Sequence, residues 1–186
     1  MTLRPALLLG LLALGPGLLR AQAPEDRARL GFKVQMMVPT GDLHNLNGGQ
    51  PGGTFAGYLD LPMEELRGLS FRPLLQIDYC PKGDALQLSG NRTRVYALLL
   101  GVETIWRPND DGKGPYLRTT LGAQNGRIVT ENSAGDTTLG GTKLGLDAGV
   151  GWQWNHHLAF EVRMFWSPVD GGVRATGLAA GLAWTF

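Results

Sequence analysis

Nucleophilic catalysis needs a hydroxyl or thiol, a base beside it and a group to orient that base. The chain offers few such sets. His44 follows Asp42 by two residues, and Ser89 or Ser133 on other loops would complete a serine triad. No spacing requires that triad, and a loop histidine is ordinarily solvated. Ser167 stands between Trp166 and Pro168, neither of which is a base. His156 and His157 are adjacent, and neighbours on an extended chain diverge, so they do not share a metal. Asp110-Asp111-Gly112 is too short for a calcium loop. Gly48-Gly49 and Gly52-Gly53 precede no helix that would cradle a phosphate. Cys80 is the only cysteine, so no intrachain disulfide forms. The expectation is a protein without cofactor or metal and without enzymatic activity.

The charged residues follow a different pattern. Lys33, Arg72, Arg118, Lys143 and Arg163 fall on the polar side of alternating segments, as do Asp60, Asp78, Glu103, Asp147 and Glu161. Five of each sign is what a closed interior requires, because an unpaired buried charge costs several kcal/mol. These ten are the candidates for an ion-paired lumen.

The elements that would position them are β-strands. Leu144, Leu146, Ala148, Val150, Trp152 and Trp154 alternate with Lys143, Gly145, Asp147, Gly149, Gly151 and Gln153. After Asn155-His156-His157 the period resumes with Leu158, Phe160, Val162, Met164 and Trp166. A period of two held this long means strand. Each run matches the ~9–11 tilted residues that cross a bilayer as β-structure. Similar alternation predicts strands near 28–38, 54–61, 69–79, 93–106 and 115–124, and a last one ending at Phe186. Pro73 within the third predicts a local bulge or irregularity. Residues 40–53, 80–91 and 125–141 read as polar loops, the last with a hairpin tip near Asn132. Eight strands with alternately long and short connections predict an all-β, eight-stranded antiparallel up-and-down transmembrane β-barrel.

Residues 1–23 differ from the rest. Arg4, an apolar run and Ala21-Gln22-Ala23 form a secretory signal peptide with cleavage before Pro24. The barrel domain is then 24–186. Loss of Arg4 and Arg20 leaves 15 basic and 16 acidic residues, a balance that gives no reason to bind nucleic acid. Charged residues make up only 18%, and the 28 glycines are about twice the usual share. Both deviations suit a lipid-facing outside and a crowded inside.

A soluble barrel has the same period with its apolar face inward. Here Gly145, Gly149, Gly151, Gly177 and Gly181 lie on the polar face, and the aromatic residues gather at strand ends. Trp106, Trp152, Trp154, Trp184 and Phe186 would form one girdle, with Tyr79 and Trp166 at the other level. The closing strand, with Leu182, Trp184 and a terminal Phe186, resembles the C-terminal assembly signal of bacterial outer-membrane barrels. With the signal peptide, the chain resembles the small eight-stranded family typified by the barrel domain of OmpA and by OmpX. That resemblance implies the bacterial outer membrane, contact with its lipid, recognition by the barrel assembly machinery and a monomer. It also implies a structural or surface-interaction role, with extracellular loops that hold an external ligand. The alternatives are a narrow channel for small or hydrophobic solutes and a lipid A-modifying enzyme.

Overall fold

A computed structural model describes residues 28–63, 66, 68–84, 92–109, 112–169 and 172–186. The signal peptide, Ser89, Asp110 and Asp111 lie outside the described residues. Eight strands follow one another: β1 (Arg29–Thr40), β2 (Gly52–Pro62), β3 (Leu69–Asp84), β4 (Arg92–Trp106), β5 (Gly114–Asn132), β6 (Gly135–Gln153), β7 (Leu158–Pro168) and β8 (Arg174–Thr185). Each pairs antiparallel with the next, and β8 returns to β1, closing the barrel. Closure leaves no free edge through the body of the wall, which is what a sheet in hydrocarbon needs.

The alternation has the sense of a membrane barrel. Along β1, Leu30, Val34 and Met36 are exposed while Lys33 and Gln35 are buried. The exposed set continues around the wall with Phe55, Leu75, Ile77, Leu98, Leu100, Leu121, Val150 and Met164. A soluble protein does not present so large a continuous apolar surface. The polar face is inside.

Three large lumenal rings each lie on a glycine directly across the ladder: Tyr58 on Gly31, Tyr116 on Gly151 and Phe165 on Gly177. A Cβ added to any of these glycines would collide with the ring. Glycine on the polar face therefore serves close packing, and it lets aromatic residues fill a narrow interior.

Three features depart from the sequence reading, and a fourth agrees with it. Residues 41–47 form a helix, α1 (Gly41–Asn47), where a polar loop was expected. Gly48 closes it in the left-handed region at φ 67°; Leu43 packs into the barrel, and buried Asn47 holds the following turn through Gly49 and Gln50. Asparagine-rich composition hid the one apolar side that packs. β5 and β6 run on as a continuous ladder to Asn132↔Gly135, where most of 125–141 read as loop. Thr130, Thr137 and Thr138 carry no apolar alternation, so this extension gave no strand signal. β3 likewise runs on to Asp84, with its register shift between Cys80 and Gly83. Pro73 stays in register with Val102 on β4, and the β2 ladder is interrupted opposite it without changing register. That interruption is the irregularity expected where a donor is missing, and it comes without a bulge.

Candidate functional site: a filled lumen and a raised sheet

The lumen is built in layers. Its middle is an ion-pair network anchored on two acids, Glu103 from β4 and Glu161 from β7. The Lys33 ammonium lies 2.6 Å from Glu103 and 2.9 Å from Glu161. Arg118 reaches Glu161 at 2.6 Å, Glu103 at 2.7 Å and Asp147 at 2.9 Å. Arg72 donates to Asp60 at 3.0 Å and lies 3.5 Å from Glu103. Arg163 joins Asp78 at 3.0 Å to Asp147 at 3.3 Å.

Neutral donors and acceptors complete the mesh. The Tyr116 hydroxyl donates to Glu161 and the Thr54 hydroxyl to Asp78. Gln35 accepts from Arg163 and donates to Glu161. The Arg72 guanidinium also lies over the Tyr58 ring, 4.5 Å from its centroid. Buried charges persist only when paired and hydrogen-bonded in this way.

Of the ten charged residues singled out from the polar face, Lys33, Asp60, Arg72, Asp78, Glu103, Arg118, Asp147, Glu161 and Arg163 are placed in the lumen. Lys143 is a correction. It keeps the inward phase of Asp147 but is exposed. β7 runs beside β6 only from Leu146 onward, so no neighbouring strand closes over it. The fifth cation is Arg107, which lies 3.7 Å from Asp60, donates to Ser70 and sits over Tyr116. Phase would have revealed it, because Glu103 and Ile105 already point inward along β4. Reading it as the first residue of a turn hid it.

Beyond the network, toward the loops, the lumen is apolar. Met37, Cys80, Val95, Ile128, Phe165, Val169 and Ala179 pack together under Leu43 of α1. The helix thus stoppers that end, with Cys80 fully buried beneath it. At the other end Ile105, Tyr116, Ala159 and Ala183 close the floor.

The residues with catalytic chemistry do not converge. Asp42 accepts from the Arg174 backbone N–H, and the His44 ring packs over Gly49. Among the described residues no hydrogen bond joins His44 to Asp42 or Ser133. Ser167 pairs with Ala175 across the β7–β8 ladder. His157 fixes the end of the chain instead: its Nδ1 lies 2.8 Å from the Thr185 carbonyl and its ring stacks on Trp184. Among the described residues no group of three or more His, Cys, Asp or Glu is placed to hold a metal.

The barrel rim is uneven. β4–β5 pairing continues to Arg92↔Glu131 and β5–β6 pairing to Asn132↔Gly135, while β7 and β8 end at Pro168 and Arg174. A sheet of β3 to β6 therefore rises above the rest. Residues 135–142 of β6 have β5 on one side and, among the described residues, no strand on the other.

No protein-family model matches the chain, and no curated protein sequence matches it. Solved structures do. Ail, the attachment invasion locus protein of Yersinia pestis, matches with a TM-score of 0.60 at 12% identity, over 86% of this chain and 97% of that one. Its complex with the heparin analogue sucrose octasulfate matches at 0.59 and 13%, with the same coverage. The N-terminal β-barrel domain of Pseudomonas aeruginosa OprF matches at 0.54 and 9%, over 86% of this chain and all of that one. An apolar outer wall, a filled polar lumen, aromatic bands at both strand ends and this fold define a small eight-stranded outer-membrane β-barrel. Its architecture is the one shared by Ail and the OprF barrel domain.

Proposed function

We propose that the protein is a surface-interaction barrel of the bacterial outer membrane, closed to solutes, that presents the β3–β6 sheet outside the cell. The loop end, which carries α1 and the raised sheet, is the extracellular end, and the short turns and both termini are periplasmic. One observation carries this reading: the sheet extends well past the aromatic band, and among the described residues no strand pairs with the β6 edge at residues 135–142. Natural proteins normally blunt or cover such an edge, since it offers unpaired N–H and C=O groups to another chain. An extended segment of a host protein can add there as a further strand.

The lumen supports the closed state, since an ion-pair layer and an apolar stopper stand in series across it. Leu182, Trp184 and Phe186 all face outward on the closing strand, where assembly machinery can read them before insertion.

Cells displaying the chain should be retained on immobilised matrix protein or heparin more than vector controls. Proline at Thr137 or Thr138, whichever points its N–H away from β5, should abolish the part that depends on the edge. Retention equal to vector on every surface would sink the adhesive reading. A steady conductance in planar bilayers would sink the closed lumen.

A further inference from the structure

The outward wall of the raised sheet carries basic side chains immediately beyond the aromatic band. Tyr79 and Tyr96 are directly paired across β3 and β4, and both rings face outward. Arg127 is paired with Tyr96 on the next strand. Arg94 lies two residues beyond Tyr96 on the same face, opposite Val129. The two guanidinium stems thus flank Val129, which is buried at 5% exposure although it points out of the barrel.

The acids on this wall lie among its cations, and Glu131 has Arg94 as well as Lys82 and Arg92 for neighbours. Glu131 accepts from Lys82 at 2.6 Å, and Asp84 lies 3.3 Å from Arg92. Arg127 forms no ion pair among the described residues, and the Nε of Arg94 is buried without a hydrogen-bond partner. Lys82, Arg92, Arg94 and Arg127 against Asp84, Glu131 and Asp136, the last paired with Glu131 across the ladder, leave a surplus of one positive charge. Diagonal neighbours on adjacent strands approach to ~7–8 Å, so two like charges here repel unless an anion lies between them.

Their height decides which anion. Tyrosine rings settle at the headgroup level, so the side chains just beyond them meet the phosphate and sugar zone of the leaflet. We propose that Arg94 and Arg127, above Tyr96, dock the phosphate groups of an outer-leaflet glycolipid. Each guanidinium offers a planar fork matched to phosphate oxygens, which a lysine ammonium cannot reproduce. The assignment rests on the proposed orientation, in which the raised sheet faces the outer leaflet.

The test has two arms. Orientation is read on whole cells by labelling Ser133→Cys with an impermeant maleimide, since Cys80 is buried and gives little background. Labelling is expected. Its absence would overturn the orientation without bearing on the phosphate chemistry. Binding is read on the refolded protein in micelles by titration with diphosphoryl lipid A, and with the same lipid after phosphatase treatment. The native protein should prefer the phosphorylated form, and R94Q/R127Q should weaken binding roughly tenfold or more. R94K/R127K should recover only part, and R174Q, on the far side of the rim, should match the native protein. Equal binding of both lipid forms, or an unaffected R94Q/R127Q variant that is heat-modifiable, would overturn the proposal. Binding of sucrose octasulfate at this wall while diphosphoryl lipid A fails to bind would overturn it in favour of a soluble glycan.

Discussion

Glu161 shows what a single residue does in this lumen. Its carboxylate receives Lys33, Arg118 and the Tyr116 hydroxyl. Glu161→Gln keeps the volume but leaves the cations in excess, so it should cost about 3–5 kcal/mol, read from urea unfolding of the refolded protein. Exposed Glu131→Gln is the control and should change stability little. Gly151→Ala would drive a methyl into the Tyr116 ring and should cost about 1–3 kcal/mol by the same measurement. The tip of the sheet has a pH response of its own. The hydrogen bond from Lys82 holds the Glu131 carboxyl below its ordinary range. A carboxyl depressed on folding adds stability above its unfolded pKa and loses it as the pH falls through the folded value. Amide protection at the tip, taken relative to the intrinsic exchange rate at each pH, should therefore fall as pH drops below the ordinary glutamate value of about 4.3, and Lys82→Ala should weaken that dependence. Strand phase alone located Lys33, Glu103 and Glu161. It could not place Lys143, because burial there depends on where the β6–β7 pairing ends.

At the scale of elements, the strands through the bilayer were legible because their two sides meet lipid and lumen, and each environment selects its residues. The far parts of β5 and β6 were not, since polar residues such as Thr130, Thr137 and Thr138 interrupt the alternation there. α1 was missed for a related reason: in seven residues only Leu43 and Asn47 are buried, too few to set a helical period. Its role as a stopper can be measured through Cys80. The native thiol should resist maleimide in the folded protein, while Leu43→Asp should expose it and raise the labelling rate without loss of heat-modifiability. A native thiol that labels at the rate of the unfolded chain would contradict the stopper.

For the whole molecule, the barrel has an unbroken wall, a lumen in which Lys33, Arg72, Arg107, Arg118 and Arg163 balance Asp60, Asp78, Glu103, Asp147 and Glu161, and an apolar belt outside. Unheated samples refolded in detergent should migrate differently from boiled ones, with β-rich circular dichroism. A soluble monomer without such a shift would contradict a membrane barrel. The eight-strand architecture could be read from the sequence because it rests on repetition. What the sheet binds could not, because an edge exposes backbone, which every sequence possesses.

The raised sheet also has a mechanical consequence. Its hydrogen bonds run across the strands, from β4 to β5 and from β5 to β6, along ladders that continue down into the bilayer. In the proposed orientation, a tether pulled away from the cell would draw β6 along its own axis. The bonds of the ladder would then be sheared together instead of peeled in succession, so a partner held at this edge is held best against tension directed outward.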